Sequence, residues 1–407
     1  MSRHTIVRLG QQGDGIADGP VYAPMTLPGE VVTGDLDGNR LNNIKVEKPS
    51  PDRVAAPCRH FRSCGGCQLQ HASDRFLADW KVEIVASALA AHGLEAEFLP
   101  ISTSPQRSRR RATFAARRTK KGAMAGFHAK VSDVIIEVPD CQLLHPDLMT
   151  ALPVAQALAM VGASRKNGIN VASTLSLNGL DLAVSNGKPL DRQLRIELAA
   201  LADTHGLARL AWDDEIIVTR HVPEQLFGKS QVQPPPGSFL QATTEGQAAL
   251  LAEVEKITRG ARRIGDLFAG CGTFSLHLAQ NAEVHAVEGE AEMIAALDAG
   301  WRKTPTLKPV THEVRDLFRR PLMPDELERF DAVVIDPPRA GAQAQTAELC
   351  HAAIPTIAYV SCNPTSFARD ASSLVAQGYE LGPVRVVDQF RWSTHVELVA
   401  EFTFKTK

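Results

Sequence analysis

Short apolar runs broken by frequent turn signals mark the first part of the 407-residue chain. Gly, Asp, Asn and Pro cluster at residues 13–15, 18–20, 27–29 and 37–39. Turns at this density predict a small β-barrel over residues 1–56. Barrels of this size often bind oligonucleotides, but a barrel that only packs on its neighbour has the same pattern.

Residues 57–235 mix helical and strand patterns, which predicts a central α+β domain. Its clearest element is a helix over about Asp74–His92, where apolar residues recur on one helical face. Between residues 146 and 220 the two patterns alternate without chemical motifs, as expected of a scaffold. The run Gln-Pro-Pro-Pro-Gly at 233–237 predicts a linker to the region that follows.

From residue 236 to residue 407, strands alternate with helices, which is the signature of a parallel sheet covered on both faces. Seven strands are predicted, at Arg262–Leu267, Glu283–Val287, Thr311–Val314, Asp331–Ile335, Thr356–Val360, Val384–Val387 and Val396–Phe404. Seven such strands make one doubly wound, Rossmann-like domain, so the chain is predicted to be of the α/β class.

The composition is that of a soluble globular protein, with 44% hydrophobic and 22% charged residues. No apolar run approaches the roughly 20 residues that a membrane-spanning helix needs, and the first ten residues lack the apolar segment of a signal peptide. We therefore expect a cytoplasmic protein without a membrane partner. In a reducing compartment, its seven cysteines are expected to be thiols used for metal binding or catalysis.

Charge is distributed unevenly along the chain. The formal net charge of −2 argues against a protein that coats nucleic acid nonspecifically, and the barrel region has six Lys or Arg against seven Asp or Glu. By contrast, residues 101–130, the basic segment, contain nine Lys or Arg and no Asp or Glu. The nine are Arg107, Arg109, Arg110, Arg111, Arg117, Arg118, Lys120, Lys121 and Lys130.

A glycine-containing loop, residues 266–274, follows the first strand of the C-terminal domain. Glycines at a strand-to-helix turn let a ligand approach the backbone closely. Glu288 ends the next strand, where a carboxylate can bind ribose hydroxyls, and Asp316 follows the third strand. The loop lacks dinucleotide and phosphate-loop motifs, and an acidic site suits a positive sulfonium, which favours S-adenosylmethionine over NAD or ATP. An ordinary tight turn flanked by surface acids is the alternative.

Cys362 lies at the carboxyl tip of the predicted strand 356–360, and Asp336-Pro-Pro-Arg339 ends the strand before it. Methyltransferases of exocyclic amines have an aromatic residue where this chain has Arg339, so the cysteine favours methylation of carbon. A thiolate that adds to carbon 6 of uracil makes carbon 5 nucleophilic enough to attack a methyl sulfonium. The thiol then needs a depressed pKa or a deprotonating neighbour. A buried structural thiol is the alternative interpretation.

Glu397, on the last predicted strand, is the candidate base that removes the carbon 5 proton after methyl transfer. Loss of that proton allows the thiolate to be eliminated. A solvated strand carboxylate is the alternative interpretation. Cys271 and Cys350 are predicted to be structural.

Four other cysteines form a predicted metal site. Cys58, Cys64 and Cys67 lie within ten residues around two glycines, and Cys141 can complete the set. Three thiolates on one loop of a cytosolic protein point to a metal. Zinc accepts four cysteines, usually in two paired knuckles, whereas one loop with a distant partner is more like an iron–sulfur site. The spacing of the cysteines alone does not decide between zinc and an iron–sulfur cluster.

These motifs together resemble those of the RNA 5-methyluridine methyltransferases, over nearly the whole chain. Residues 361–364 match the family's nucleophile motif, residues 336–339 the preceding signature, and residues 395–397 the terminal motif with the base. Residues 239–242 are similar to the family's Phe-x-Gln segment. The resemblance implies a C-terminal S-adenosylmethionine-dependent methyltransferase domain. It places six residues at cofactor-contacting positions, namely Gln241, Phe268, Thr273, Glu288, Asp316 and Asp336.

One branch of the family fits best. The four cysteines match the 4Fe-4S ligands of the ribosomal RNA branch, and residues 1–56 are similar to the RNA-binding TRAM module of enzymes that methylate 23S rRNA uridine 1939. The resemblance therefore implies a 23S rRNA uracil-5-methyltransferase with a 4Fe-4S cluster, and we expect a monomer. The alternatives are a tRNA 5-methyluridine methyltransferase and an inactive iron–sulfur RNA-binding protein.

In this interpretation the barrel and the basic segment hold a folded ribosomal RNA region, and the target uridine is flipped into the cleft. Residues Arg107 to Arg118 are expected to contact phosphates, with Phe114 and Phe127 as stacking faces for bases. A solvated basic strand pair is the alternative.

Overall fold

The N-terminal region is a closed five-stranded barrel in a computed structural model that describes residues 2–164 and 167–404. Its strands are β1 (Ser2–Leu9), β2 (Gly15–Ala17), β3 (Val21–Ala23), β4 (Val31–Asp37) and β5 (Arg40–Lys48), in the order β1-β2-β3-β5-β4. Alternating apolar residues of these strands fill its interior, including Ile6, Val32 and Leu41. The predicted barrel is confirmed.

Helix α1 (Asp74–Ala90) follows the cysteine loop, close to the predicted bounds. It begins where the Ser73 hydroxyl accepts the backbone N–H of Phe76, an N-cap that satisfies one of the helix's free donors. Strand β6 (Phe98–Thr103) then joins the edge of the C-terminal sheet. The seven-strand prediction did not include this eighth strand, which comes from the region N-terminal to the basic arginines.

The central sheet has seven strands in the order β13-β12-β11-β10-β7-β8-β9. They are β7 (Arg111–Thr119), β8 (Gly122–His128), β9 (Ile135–Ile136), β10 (Ile169–Ser176), β11 (Gly179–Ser185), β12 (Arg209–Trp212) and β13 (Glu215–Thr219), accompanied by α2 (Pro146–Met149), α3 (Ala151–Gly162) and α4 (Arg192–Thr204). Phe114 is fully buried in the core between this sheet and α3, so its prediction as a base-stacking face is wrong. Phe127 packs against it with ring centroids 5.3 Å apart.

A short hairpin of β14 (Gln225–Phe227) and β15 (Ser230–Val232) precedes the proline linker. The linker is anchored, because the buried guanidinium of Arg209 donates to the carbonyl of Pro234 at 2.8 Å. The same guanidinium forms two hydrogen bonds to Asp181, at 2.6 and 2.8 Å. Arg209 therefore joins the central sheet to the linker.

The C-terminal sheet has the order β18-β17-β16-β19-β20-β22-β21-β6. Its remaining elements are α5 (Thr244–Ile257), β16 (Arg263–Leu267), α6 (Ser275–Leu278), β17 (Glu283–Glu288), α7 (Ala291–Arg302), β18 (Val310–Val314), α8 (Pro324–Leu327), β19 (Ala332–Ile335), α9 (Gln343–Ala352), β20 (Thr356–Ser361), α10 (Pro364–Ala376), β21 (Tyr379–Asp388) and β22 (Glu397–Phe404). All seven predicted strands are present. Strands β16 to β20 are parallel, and β22 runs antiparallel to β20 and β21.

Strands β19 and β20 are buried along almost their whole length, as expected of parallel strands covered by helices on both faces. Across the described residues, every helix is too short or too polar to span a bilayer.

Candidate active site

Three predicted site residues meet at one edge of the C-terminal sheet. Asp336 follows β19, Cys362 follows β20, and Glu397 begins β22. Since Ser361 pairs with Leu398 across the antiparallel ladder, the next residues outward are Cys362 and Glu397. The carboxyl edge of an open α/β sheet is where such folds bind ligands. The topology thus places a thiol and two carboxyl groups around one cleft.

The Cys362 turn is held by hydrogen bonds from both sides. The Asn363 side chain accepts the backbone N–H of Thr365 and thereby caps α10, while its amide donates to the carbonyl of Arg339 at 2.8 Å. The Ser361 hydroxyl accepts the N–H of Asn363 at 3.1 Å. These contacts explain the Ser and the Asn on either side of the cysteine, and they fix the turn against the loop after β19.

The pKa of the Cys362 thiol is raised, first by burial and then by the negative charges of Glu397 and Asp336. Arg339 opposes this shift but does not reverse it. The structure therefore does not lower the pKa of the Cys362 thiol, which was one of the two ways to form the thiolate. Deprotonation needs a neighbouring acceptor, and the carboxylates that face the thiol are the groups in position to act.

Glu397 is 3% exposed, and burial raises its pKa to about 8, with Asp336 adding to the shift. The interpretation of Glu397 as a solvated carboxylate is therefore wrong. The amide of Gln389 donates to Glu397 and also to the Gln241 side chain. A carboxyl group with a pKa near the working pH can both accept and release protons, as a general base requires.

The pH dependence of the reaction follows from these shifts. Glu397 accepts a proton only as the carboxylate, so kcat should rise with pH up to about 8 and fall about tenfold for each pH unit below that value. Steady-state rates between pH 6 and pH 9, with RNA binding measured in parallel as a control, check this expectation. A rate that is flat over this range would contradict it.

The glycine loop lies beside β17 and is tied to Glu288. One carboxylate oxygen of Glu288 accepts the N–H of Gly270 at 2.9 Å, and the other accepts the N–H of Gly289. A Cβ at Gly270 would meet no atom within 4 Å, so open space adjoins this backbone. Asp316, beyond β18, accepts the N–H of Phe318. The Phe318 ring lies 5.4 Å from that of Phe268.

This arrangement fits an adenosine ligand. The paired rings of Phe268 and Phe318 offer an apolar wall, and carboxylates lie beside it to accept hydrogen bonds from ribose hydroxyls. Phe268 has φ of 62°, a strained value for a non-glycine residue and one often seen at ligand sites. Thr273 follows the two glycines and is partly buried.

Several groups at the site were not predicted. Asp266 is fully buried, its pKa is raised to about 7 by burial, and one of its oxygens lacks a partner among the described residues. Arg111 stacks on Phe239 at 4.5 Å and faces the charge of Glu397. Gln389 joins Glu397 to Gln241. Asp266 and Arg111 lay within segments already noted, whereas nothing local in the sequence singles out Gln389.

Arg339 also has a partner from the loop before β22. Its guanidinium lies 3.1 Å from Nδ1 of His395, and burial together with Arg339 lowers the pKa of His395. The neutral imidazole can accept a hydrogen bond from the guanidinium. The two motifs at residues 336–339 and 395–397 are therefore in direct contact.

The four predicted metal ligands line one cavity of about 290 Å³, the cysteine cavity. Cys58, Cys64, Cys67 and Cys141 share it with Phe61, Phe127 and Arg109, among others. Burial raises the pKa of Cys67 to about 12, and the other thiols add to this through their negative charge. Among the described residues, no group of three or more His, Cys, Asp or Glu is placed around a single-ion site.

Eight of the nine basic residues in the basic segment divide into two sets, and the ninth, Lys130, is partly buried. Arg109, Arg110 and Arg111 are half-buried and point into the protein, where Arg110 donates to the carbonyl of Gln241 and to the side chain of Gln247. The remaining arginines and two of the lysines are exposed, namely Arg107, Arg117, Arg118, Lys120 and Lys121. Only the exposed set can therefore contact RNA phosphates as predicted.

Comparison with known proteins bears on this site. A family model described as tRNA (Uracil-5-)-methyltransferase matches residues 307–401. An uncharacterized RNA methyltransferase of Brucella suis is 44% identical over 98% of this chain and 97% of its own. The 23S rRNA (uracil(1939)-C(5))-methyltransferase RlmD of Halomonas elongata is 32% identical over 96% of this chain and 86% of its own.

Among solved structures, the fold is similar to that of the Pyrococcus abyssi tRNA (uracil-54, C5)-methyltransferase in complex with S-adenosyl-L-homocysteine. The TM-score is 0.77 at 23% identity, covering 98% of this chain and 99% of the other. This likeness supports the arrangement of an N-terminal barrel and an α/β methyltransferase fold.

Proposed function

The chain belongs to the family of S-adenosylmethionine-dependent RNA uracil-5-methyltransferases, and we propose that it methylates carbon 5 of a uridine in 23S ribosomal RNA through a covalent adduct on Cys362. The observation that carries the proposal is the meeting of Cys362, Asp336 and Glu397 at the carboxyl edge of one sheet. A relative named for 23S rRNA at 32% identity supports the choice of RNA.

The reaction begins at the thiol. Cys362 loses its proton to Asp336, the other carboxylate beside it, and its sulfur adds to carbon 6 of the flipped uracil, which places the ring electrons on carbon 5 and O4 as an enolate. S-adenosylmethionine, when bound, would supply the electrophilic methyl group that carbon 5 accepts, and the electrons of the broken methyl–sulfur bond would stay on sulfur in the S-adenosylhomocysteine that leaves. Glu397 then removes the proton from carbon 5, and the electrons of that C–H bond restore the ring double bond as the C6–S bond breaks.

Six residues are proposed to hold the cofactor. Glu288 and Asp316 lie where they can accept hydrogen bonds from hydroxyls, and Phe268 offers a ring face beside them. Gln241 and Asp336 lie towards Glu397, on the side where the methyl group has to reach uracil. Thr273 completes the set from the glycine loop. The two carboxyl groups nearest the thiol also complement the positive sulfonium.

RNA is proposed to bind across the exposed basic residues and the TRAM-like barrel. Arg117 and Arg118 are exposed on strand β7, and Lys120 and Lys121 are exposed in the turn between β7 and β8. Charges of this kind position a nucleic acid through its phosphates without reading its sequence. Phe239 is 56% exposed and lies beside Arg111. Phe239, and not the buried Phe114, is therefore proposed as the aromatic ring on which an RNA base stacks. We expect a cytoplasmic monomer.

The RNA target is tested by mapping 5-methyluridine in a strain that lacks the gene. The proposal predicts that one or more methyl groups disappear from 23S rRNA and return when the gene is restored, but not when its Cys362→Ala form is supplied. Loss of 5-methyluridine from transfer RNA alone would replace the proposed substrate with tRNA. Unchanged methylation in both RNAs would contradict the assignment.

We also propose that the cysteine cavity holds a 4Fe-4S cluster. The four thiols line one cavity, and the N–H of Gly66 points to the sulfur of Cys64 at 3.4 Å, a contact typical of cluster ligands. Anaerobically purified protein is expected to contain iron and sulfide in equal amounts and to absorb visible light. Cys58→Ser should lower the iron content, whereas Cys350→Ser should not. Zinc without visible absorbance would overturn this assignment.

A further inference from the structure

The loop between β21 and β22, residues 389–396, is in contact with both the cysteine loop and the active site. We call it the connecting loop. On one side, the carbonyl oxygen of Trp392 accepts two backbone N–H groups, from Gln68 at 2.9 Å and from Leu69 at 3.0 Å. These donors follow Cys67 directly in the chain. The cysteine loop is therefore bound to the connecting loop through main-chain hydrogen bonds.

Side-chain packing strengthens this junction. The Trp392 indole is 2% exposed and belongs to a core cluster with Phe61, Cys67 and Leu69. Trp392 has φ of 60°, a left-handed conformation that a bulky residue adopts only when its surroundings impose it. Burial of the indole against the cysteine loop is the evident stabilising contact.

The barrel reaches the same place. Gly13, with φ of 85°, comes so close that a Cβ there would lie 3.0 Å from the methyl group of Thr394 and 3.4 Å from Cβ of Gln68. The barrel turn, the cysteine loop and the connecting loop thus meet at one point. A glycine is required there because of both its backbone conformation and the lack of space.

On its other side, the connecting loop carries groups of the active site. Gln389 donates to Glu397, and the Phe390 ring packs edge-on against His395 with centroids 5.7 Å apart. His395 in turn contacts Arg339, beside Cys362. The buried Lys81 of α1 donates to Asp388 and to the carbonyl of Phe390. Apart from the bond of Lys81 to Asp388 at the end of β21, each of these contacts depends on the path of the connecting loop.

We propose that Trp392 is a positioning residue, through which the cysteine loop sets the place of Gln389, Phe390 and His395 at the reacting uracil. The four-cysteine module then acts on methyl transfer by holding the connecting loop, without touching RNA or cofactor at the reacting atoms. This inference rests on the proposed function only in assigning the reaction to Cys362 and Glu397. The junction itself consists of contacts between this chain's own residues.

Hydrogen exchange on the full-length protein, without RNA or cofactor, tests the junction directly. In Trp392→Ala, the backbone amides of residues 68–69 and 389–396 are expected to exchange at least about tenfold faster, because the indole packing that holds the accepting carbonyl of residue 392 in place is lost. Amides of β20 should exchange as before. Trp301→Ala, which changes a tryptophan on α7 outside the junction, is the matched control.

Kinetics separate positioning from a loss of structure. Trp392→Ala should lower kcat by about 10- to 100-fold with KM values for RNA and S-adenosylmethionine changed less than about twofold, and Trp392→Phe should recover most of the rate. If Trp392→Ala fails to fold, Gly13→Ala takes its place, because it perturbs the junction from the barrel. It should show the same faster exchange at residues 68–69 and 389–396. Unchanged exchange at residues 68–69 and 389–396, or unchanged kcat despite faster exchange, would overturn the inference. If the wild-type protein is inactive but Trp392→Ala still shows faster exchange at these residues, the result would count against the proposed function and not against the junction.

Discussion

Replacing Cys362 by alanine is expected to lower methyl transfer by at least about 10⁴-fold and to abolish any covalent complex with RNA. Without the sulfur, no nucleophile adds to carbon 6, and carbon 5 of the intact uracil ring is too weakly nucleophilic to take a methyl group. Cys362→Ser should be similarly inactive, because a hydroxyl ionises far less readily in a site that already raises the pKa of a thiol. Transfer of labelled methyl groups to RNA measures both variants.

Cys350→Ser is the matched control for this experiment. Cys350 is a partly buried thiol on α9 and lies among the apolar side chains of the C-terminal core. We expect its replacement to leave the rate within about twofold of the wild type. A fully active Cys362→Ser enzyme would rule out the covalent mechanism, and equal losses in the Cys350 and Cys362 variants would point to general damage.

Replacing Glu397 by glutamine is expected to trap the enzyme on its RNA. The amide cannot accept the carbon 5 proton, so the methylated adduct forms but eliminates slowly, and turnover falls by about 10²- to 10⁴-fold. Glutamine keeps the size of the side chain and can still hydrogen bond to Gln389. A complex that survives denaturing electrophoresis should therefore accumulate with labelled RNA.

Glu401→Gln provides the comparison for the Glu397 variant. Glu401 lies four residues further along the same strand, and its substitution removes one negative charge away from the strand tip. No trapped complex is expected. If Glu397→Gln releases methylated RNA at the wild-type rate, Glu397 is not the base, and if it forms no adduct at all, its carboxylate is needed earlier, to deprotonate Cys362.

Much of the catalytic edge was predictable because its motifs occupy the ends of strongly apolar strands. The buried runs of β19 and β20 show clearly in the sequence, and a parallel sheet brings their carboxyl ends together. Asp336 and Cys362 could therefore be placed in one cleft before the structure was known. The same reasoning located Glu288 beside the glycine loop, where the structure holds it by backbone N–H groups.

Features set by tertiary contacts were not predictable. Strand β6 pairs with β21 across more than 280 residues of chain, and no local pattern encodes that pairing. Phe114 is apolar on a basic strand, and only the position of α3 shows that it points into the core. The raised pKa of Cys362 likewise depends on the burial and charges that the fold creates.

The most direct test of the covalent account is mass spectrometry of the Glu397→Gln complex after digestion of both protein and RNA. The account predicts a peptide containing Cys362 that carries one uridine nucleotide with an added methyl group, and no such mass in the double variant with Cys362→Ala. An adduct on Cys271, on Cys350 or on a ligand of the cysteine cavity would contradict it. Active methylation of uridine with no cysteine adduct under trapping conditions would also contradict it.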